Sequence, residues 1–171
     1  MTCGSKIKTY LAFRVERAVD LMGFITSKAG PDDIEAIVDN ILRMAKESEG
    51  KTLDRETVTS AMKRFLGEPG RGFYLLVRQE GHVVGQCMIT SEFSDWRNGE
   101  YWWVQSVYVN IDHRRKGFLR ALLEEIRVMA KGQGDVFGIR LYVDKDNLNA
   151  IEAYRRLGLP PSHYLMMDVP M

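Results

Sequence analysis

The chain has 171 residues, with 24 Lys and Arg against 23 Asp and Glu for a formal net charge of +1. That length suits one domain with one sizeable core, and 45% hydrophobic with 27% charged residues is a globular rather than a disordered make-up. The near-neutral balance argues against general electrostatic capture of nucleic acid or an anionic membrane, and no apolar run is long enough to span a bilayer. Two cysteines, Cys3 and Cys87, form neither a metal-ligand spacing nor a disulfide framework, which fits a reducing, cytoplasmic setting.

In chain order, residues 1–21 stand apart. Ile7, Leu11, Val15, Ala18 and Met22 fall at helical spacing with Arg14, Arg17 and Asp20 elsewhere on the surface. The stretch reads either as an N-terminal amphipathic helical extension or as an extension without function, and residues 22–171 as a single domain. Gly23 to Ser27 is a short strand. Gly30-Pro31-Asp32-Asp33 opens a helix with Ile34, Ile37, Val38, Ile41, Leu42 and Ala45 as its buried stripe. Asp54 caps a second helix that turns Val58, Ala61, Met62, Phe65 and Leu66 inward. From Phe73 the period becomes two: Phe73 to Arg78 and His82 to Thr90 form a hairpin, Ser91 to Gly99 a polar loop, and Glu100 to Val109 a third strand. A helix runs from Gly117 to about Lys131, a strand from Val136 to Val143, a helix up to Gly158, and a last strand from Tyr164 to Val169. The order is that of an α+β fold with a mixed sheet.

The stretch Val104 to Leu123 organises the rest. A β-branched strand ends in the polar run Ile111-Asp112-His113-Arg114-Arg115-Lys116-Gly117, and Phe118, Ala121, Leu122, Ile126 and Met129 then share one helical face. A strand therefore delivers a glycine-bearing basic loop to a helix N-terminus, where unpartnered N–H groups and a partial positive charge favour an anion. Gly117 leaves the backbone open to a bulky ligand.

Arg114-Arg115-Lys116-Gly117-Phe118-Leu119 resembles the acetyl-CoA-binding turn of the GCN5-related N-acetyltransferase (GNAT) superfamily, Gln/Arg-x-x-Gly-x-Gly/Ala, departing from it at Leu119. A second block, Asn147 to Leu159, matches the family's Asn-x-x-Ala-x-x-x-Tyr-x-x-x-Gly-Phe at all but the last position. The resemblance covers roughly residues 24–168. It implies a mostly antiparallel mixed sheet with helices on both faces, and acetyl-CoA as co-substrate without a metal. It also implies acetyl transfer to a primary amine by direct attack in a ternary complex, with a small-molecule amine favoured, a protein amine open, and a homodimer as the assembly.

Carried onto this chain, the resemblance implies that backbone groups of Val107, Tyr108 and Val109 pair with the pantetheine arm. The turn Arg114, Arg115, Lys116, Gly117, Phe118, Leu119 and Arg120 takes the pyrophosphate, and Tyr154 protonates the departing thiolate. Asn147 reads as a helix cap that family members also use near the CoA arm. The family's usual basic Glu falls on Gln105, which cannot take a proton. Glu100 is the nearest acid on that strand, with Tyr101, Tyr108 and Glu92 as further candidates. Trp96, Tyr101, Trp102 and Trp103 lie where relatives build the acceptor pocket, and alternation puts Trp102 and Trp103 on opposite faces.

Two other readings differ in class. Gln105 and Leu119 favour a non-catalytic acyl-CoA-binding sensor on the same fold. The cluster Arg114 to Arg120 with Arg155-Arg156 would serve a nucleic-acid-binding domain, against which the neutral net charge weighs.

Overall fold

The computed structural model describes residues 23–169, so the helix expected over residues 1–21 lies outside the described residues. Five strands, β1 (Phe24–Lys28), β2 (Phe73–Gln79), β3 (His82–Ser94), β4 (Gly99–Val109) and β5 (Val136–Arg140), form one sheet in sequence order. All neighbours are antiparallel except β4 and β5. The four α-helices among the described residues are α1 (Ile34–Glu49), α2 (Arg55–Gly67), α3 (Phe118–Gln133) and α4 (Leu148–Arg156). No helix among the described residues is long and apolar enough to cross a membrane.

Each helix follows from local chemistry. Pro31 and the acids Asp32 and Asp33 start a 3-10 turn that leads into α1. The Asp54 carboxylate accepts the Thr57 N–H at 2.7 Å and so satisfies one free donor at the start of α2. Asn147 accepts the Ala150 N–H at 3.1 Å, the capping role expected of it. The sheet has a core on each face. On one, Leu122, Leu123 and Ile126 of α3 press on Leu75, Val77, Cys87, Ile89, Trp102 and Val104. On the other, Ile37 and Val38 of α1 and Val58 and Met62 of α2 cover Tyr74 and Leu76. Period-two alternation thus sorts β4 as expected, with Trp102 in the α3 core against Phe73 and Trp103 on the opposite face.

Three elements depart clearly from the sequence reading. The loop expected from Ser91 to Gly99 shrinks to the turn 95–98, because β3 continues to Ser94 and pairs with the start of β4. β5 stops at Arg140 rather than Val143, since β4, its one partner among the described residues, parts from it after Trp103 pairs with Arg140. The strand expected from Tyr164 to Val169 does not form. That segment joins no ladder, and Leu165 and Met167 are 90% and 92% exposed. Alternating apolar residues make a strand only where a neighbouring backbone supplies hydrogen bonds.

Candidate active site

The site begins with an irregularity in β4. The β3–β4 register jumps between Gln86↔Tyr108 and Met88↔Gln105, so Ser106 and Val107 share the place opposite Cys87. This is a β-bulge, and Ser106 takes a left-handed φ of 47° within it. The bulge bends β4 where its pairing with β5 has ended, which opens a fork between the two strands. Residues 104–109 thus run beyond the last β5 pair, so their backbone groups on that side make no ladder with β5.

A cleft of about 830 Å³ lies along this fork. It is lined by Val107, Tyr108 and Val109 of β4, by Arg114, Arg115, Gly117, Phe118, Leu119 and Arg120, and by Asn147, Ala153 and Tyr154. Two stretches about thirty residues apart in sequence are brought to one cavity. Lys116 belongs to the same turn but does not line the cleft. Gly117 is the N-cap of α3 at φ 90°, with no side-chain hydrogen bond to the first turn, and Arg115 before it also has a positive φ of 64°. The N-terminal amides of α3 therefore remain open to a ligand, in a turn of the kind that cradles anions.

Arg114 is not a free cation. Its Nε donates to the Val109 carbonyl at 2.9 Å, its Nη2 pairs with the Glu47 carboxylate, and its guanidinium lies 5.6 Å from the Tyr108 ring centroid. The Tyr108 hydroxyl donates to the other Glu47 oxygen at 2.7 Å. The end of α1 is thus tied across the mouth of the cleft to the end of β4. Partial burial works to raise the Glu47 carboxyl, but the hydrogen bonds from Tyr108 and Arg114 outweigh it and hold it below its ordinary value of 4.5. A depressed folded pKa stabilises the fold above the unfolded value, and that contribution is lost as pH falls through the folded one. The melting temperature of Glu47→Gln should therefore lie below that of the parent protein at neutral pH, and the gap should close in progressively more acidic buffers. A gap independent of pH would assign Glu47 a packing role only. Sequence reasoning missed Glu47, because nothing in its helical context marks it as a partner of residues sixty or more positions later.

Tyr154 projects from α4 into the cleft wall. Burial, with a smaller contribution from the Cys87 thiol, pushes its phenol up to about 12. The group therefore keeps its proton throughout the neutral range and acts there only as a hydrogen-bond donor or acid.

Glu100 is placed elsewhere. It stands at the far end of β4, roughly 23 Å from Val107 at about 3.3 Å per residue, on the strand face that carries Trp102. It does not line the cleft, and its Oε2 is buried without a hydrogen-bond partner among the described residues. On the opposite face, next to the fork, a second cluster forms. Arg140 donates from Nη1 to Glu92 Oε1 at 2.7 Å and stacks 3.7 Å from the Tyr101 ring centroid, while the Trp103 indole N–H donates to Glu92 Oε2. Gln105 donates to the Thr90 hydroxyl at 2.6 Å. Trp96, in the 95–98 turn, is almost fully exposed.

The comparisons with known proteins agree with this geometry. The model of the acetyltransferase (GNAT) family matches residues 34–159, which takes in α1, the fork, the basic turn and α4. A possible acetyltransferase from Clostridium difficile 630 is 36% identical with a TM-score of 0.81, over 86% of this chain and 97% of that one. An integron cassette protein from the mobile metagenome of Cole Harbour salt marsh is 22% identical with a TM-score of 0.75, over 85% of this chain and 90% of that one. A predicted acetyltransferase from Clostridium acetobutylicum, whose structure contains acetyl-CoA, is 16% identical with a TM-score of 0.68, over 85% of this chain and 96% of that one. No curated protein matches the chain. A bulged central strand, a forked sheet, an uncapped glycine at the head of α3 and a family model spanning all of them lead to one conclusion: this chain belongs to the GNAT acetyltransferase family.

Proposed function

We propose that the protein is an acetyl-CoA-dependent N-acetyltransferase that acetylates a small primary amine. The observation that carries the reading is the fork itself: unpaired β4 backbone leads directly to the open amides at the head of α3. That shape fits an extended amide-bearing arm ending in a pyrophosphate. Residues 107–109 would hold the arm, and the turn from Arg115 to Arg120 the phosphates. The C. acetobutylicum relative supports the same assignment. Bound acetyl-CoA supplies the acetyl group as a thioester. An N–C bond forms as the C–S bond breaks, the nitrogen loses a proton to water, and the sulfur is left to be reprotonated. Tyr154 stabilises that sulfur by donating a hydrogen bond. Its phenol at about 12 gives it little tendency to part with the proton outright, against a thiol at about 8.5.

The carboxylates near the site are engaged, and His113 lines the cleft with its Nδ1 on the Gln79 side-chain oxygen. Gln105 cannot accept a proton, and Glu47, the one carboxylate lining the cleft among the described residues, is tied up by Arg114 and Tyr108. Glu92 is held by Arg140 and Trp103. With these carboxylates engaged, the amine binds already neutral. In a thiol-release assay, kcat/KM should rise about tenfold per pH unit until the pKa of the amine itself is reached, and amines of different pKa should shift the curve accordingly. A limb fixed between about pH 5 and 7 for every amine would reveal a protein base instead.

The assembly proposed is a homodimer. The exposed side chains of Tyr164, Leu165, Met166, Met167 and Val169 form an apolar segment that a second copy would cover. Gel filtration with light scattering distinguishes the dimer from a monomer. The cytoplasm suits such a protein, since the described Cys87 is a buried free thiol.

A further inference from the structure

The cluster at the fork is already charged before any acceptor arrives. Arg140 is the last β5 residue paired to β4, so it stands where the strands part. The backbone sets the position of its guanidinium. A Cβ at position 138 would come within 2.6 Å of the Tyr101 ring, so Gly138 is what lets that ring lie where Arg140 stacks on it. Glu92 then takes one of the guanidinium N–H groups, and the Trp103 ring lies 6.0 Å off. Stacked on one face and tied at one corner, the guanidinium is held in place.

This arrangement bears on what can bind. The Tyr101 face that would attract a substrate ammonium is occupied by Arg140, and both Glu92 oxygens are engaged. A bare ammonium would meet a fixed positive charge whose neighbouring carboxylate, Glu92, is already engaged. A guanidinium carries five N–H donors; Glu92 uses one, and the Arg140 side chain is 34% exposed. The planar fork that remains matches a carboxylate. Tyr142, 58% exposed and 6.4 Å from the Trp103 ring, adds an apolar wall beside it.

We propose that Arg140, stacked on Tyr101 and tethered by Glu92 where β4 and β5 part, binds a carboxylate of the acceptor. The acceptors are then small amino acids or amines with a carboxylate within a few bonds of the nitrogen. This rests on the acetyltransferase reading above and adds the substrate class. The carboxylate meets the guanidinium while the neutral nitrogen points into the fork, toward the thioester.

The test uses matched pairs, an amino acid and its decarboxylated amine such as phenylalanine and phenethylamine, in a thiol-release assay run alongside a titration of acetyl-CoA. The pH is set by each amine's own pKa, so that the neutral fraction is equal within a pair. The parent protein should prefer the carboxylated member at least tenfold in kcat/KM. Arg140→Gln should abolish that preference by raising KM for the carboxylated member, while KM for the decarboxylated amine falls because Glu92 and the Tyr101 face are freed, and Arg140→Lys should restore part of the preference. Melting curves establish that each variant is folded. Equal kcat/KM within pairs for the parent protein, or a preference that survives in folded Arg140→Gln, overturns the proposal while leaving the transferase intact. Acetyl-CoA binding with no turnover of any amine overturns the transferase reading, and the acceptor class with it.

Discussion

Replacing Tyr154 with Phe should lower kcat about a hundredfold while leaving the dissociation constant of acetyl-CoA within about twofold of its parent value. The phenol and the phenyl ring fill nearly the same volume, so the packing of α4 against the α3 core should survive. What disappears is one O–H at the cleft wall, and it matters only when negative charge builds on the sulfur. An interaction made only at that stage lowers kcat and kcat/KM together, and stopped-flow acetylation separates it from product release. Because the phenol is pushed up to about 12, its loss should leave the pH profile unchanged below that range. Full retention of kcat, with acetyl transfer shown to be rate-limiting, would remove Tyr154 from the mechanism and make it a packing residue.

Replacing Gly117 with Val should weaken acetyl-CoA binding at least tenfold and lower the melting temperature by several degrees. The two effects have different causes. The φ of 90° at Gly117 lies in the region that L-residues avoid, and a β-branched residue there is a steric outlier. Apart from its chain neighbours, no atom of the described residues lies within 4 Å of where its Cβ would sit, so the protein without ligand has room for the side chain and bears only the backbone strain. The same side chain would project where a phosphate approaches the α3 amides. Gly117→Ala should show a smaller version of both effects, and Arg115→Ala should weaken binding without much change in melting. If Gly117→Val binds acetyl-CoA like the parent protein, the pyrophosphate does not sit on this turn.

Much of the site was legible because it is built from local signals. The change of period at Phe118, the glycine before it and the Asn147–Tyr154 spacing are all short-range, and the chain brings them to one cleft. The alternation of β4 likewise sorted Trp102 from Trp103 correctly. What escaped depends on long-range geometry. A bulge at Ser106 leaves no mark in a residue that is neither Gly nor Asn, yet it creates the fork. The fork in turn cuts β5 short, although Leu141-Tyr142-Val143 reads as strand. Residues 164–169 carry the right alternation and lack a ladder to join. Glu47 reaches the cleft, and Arg140 the point where β4 and β5 part, from elements whose sequences are ordinary, so only the fold reveals them. Glu100 is near Val107 in sequence but stands at the other end of β4, outside the cleft lining.

The most direct test of the account is a calorimetric titration of the protein with acetyl-CoA, repeated with Gly117→Val. Saturable binding at one site per chain, competed by CoA and weakened at least tenfold by the substitution, is the predicted result. Absence of binding to the parent protein at millimolar acetyl-CoA, or binding indifferent to Gly117, would contradict the claim that the fork between β4 and β5 and the head of α3 form the cofactor site.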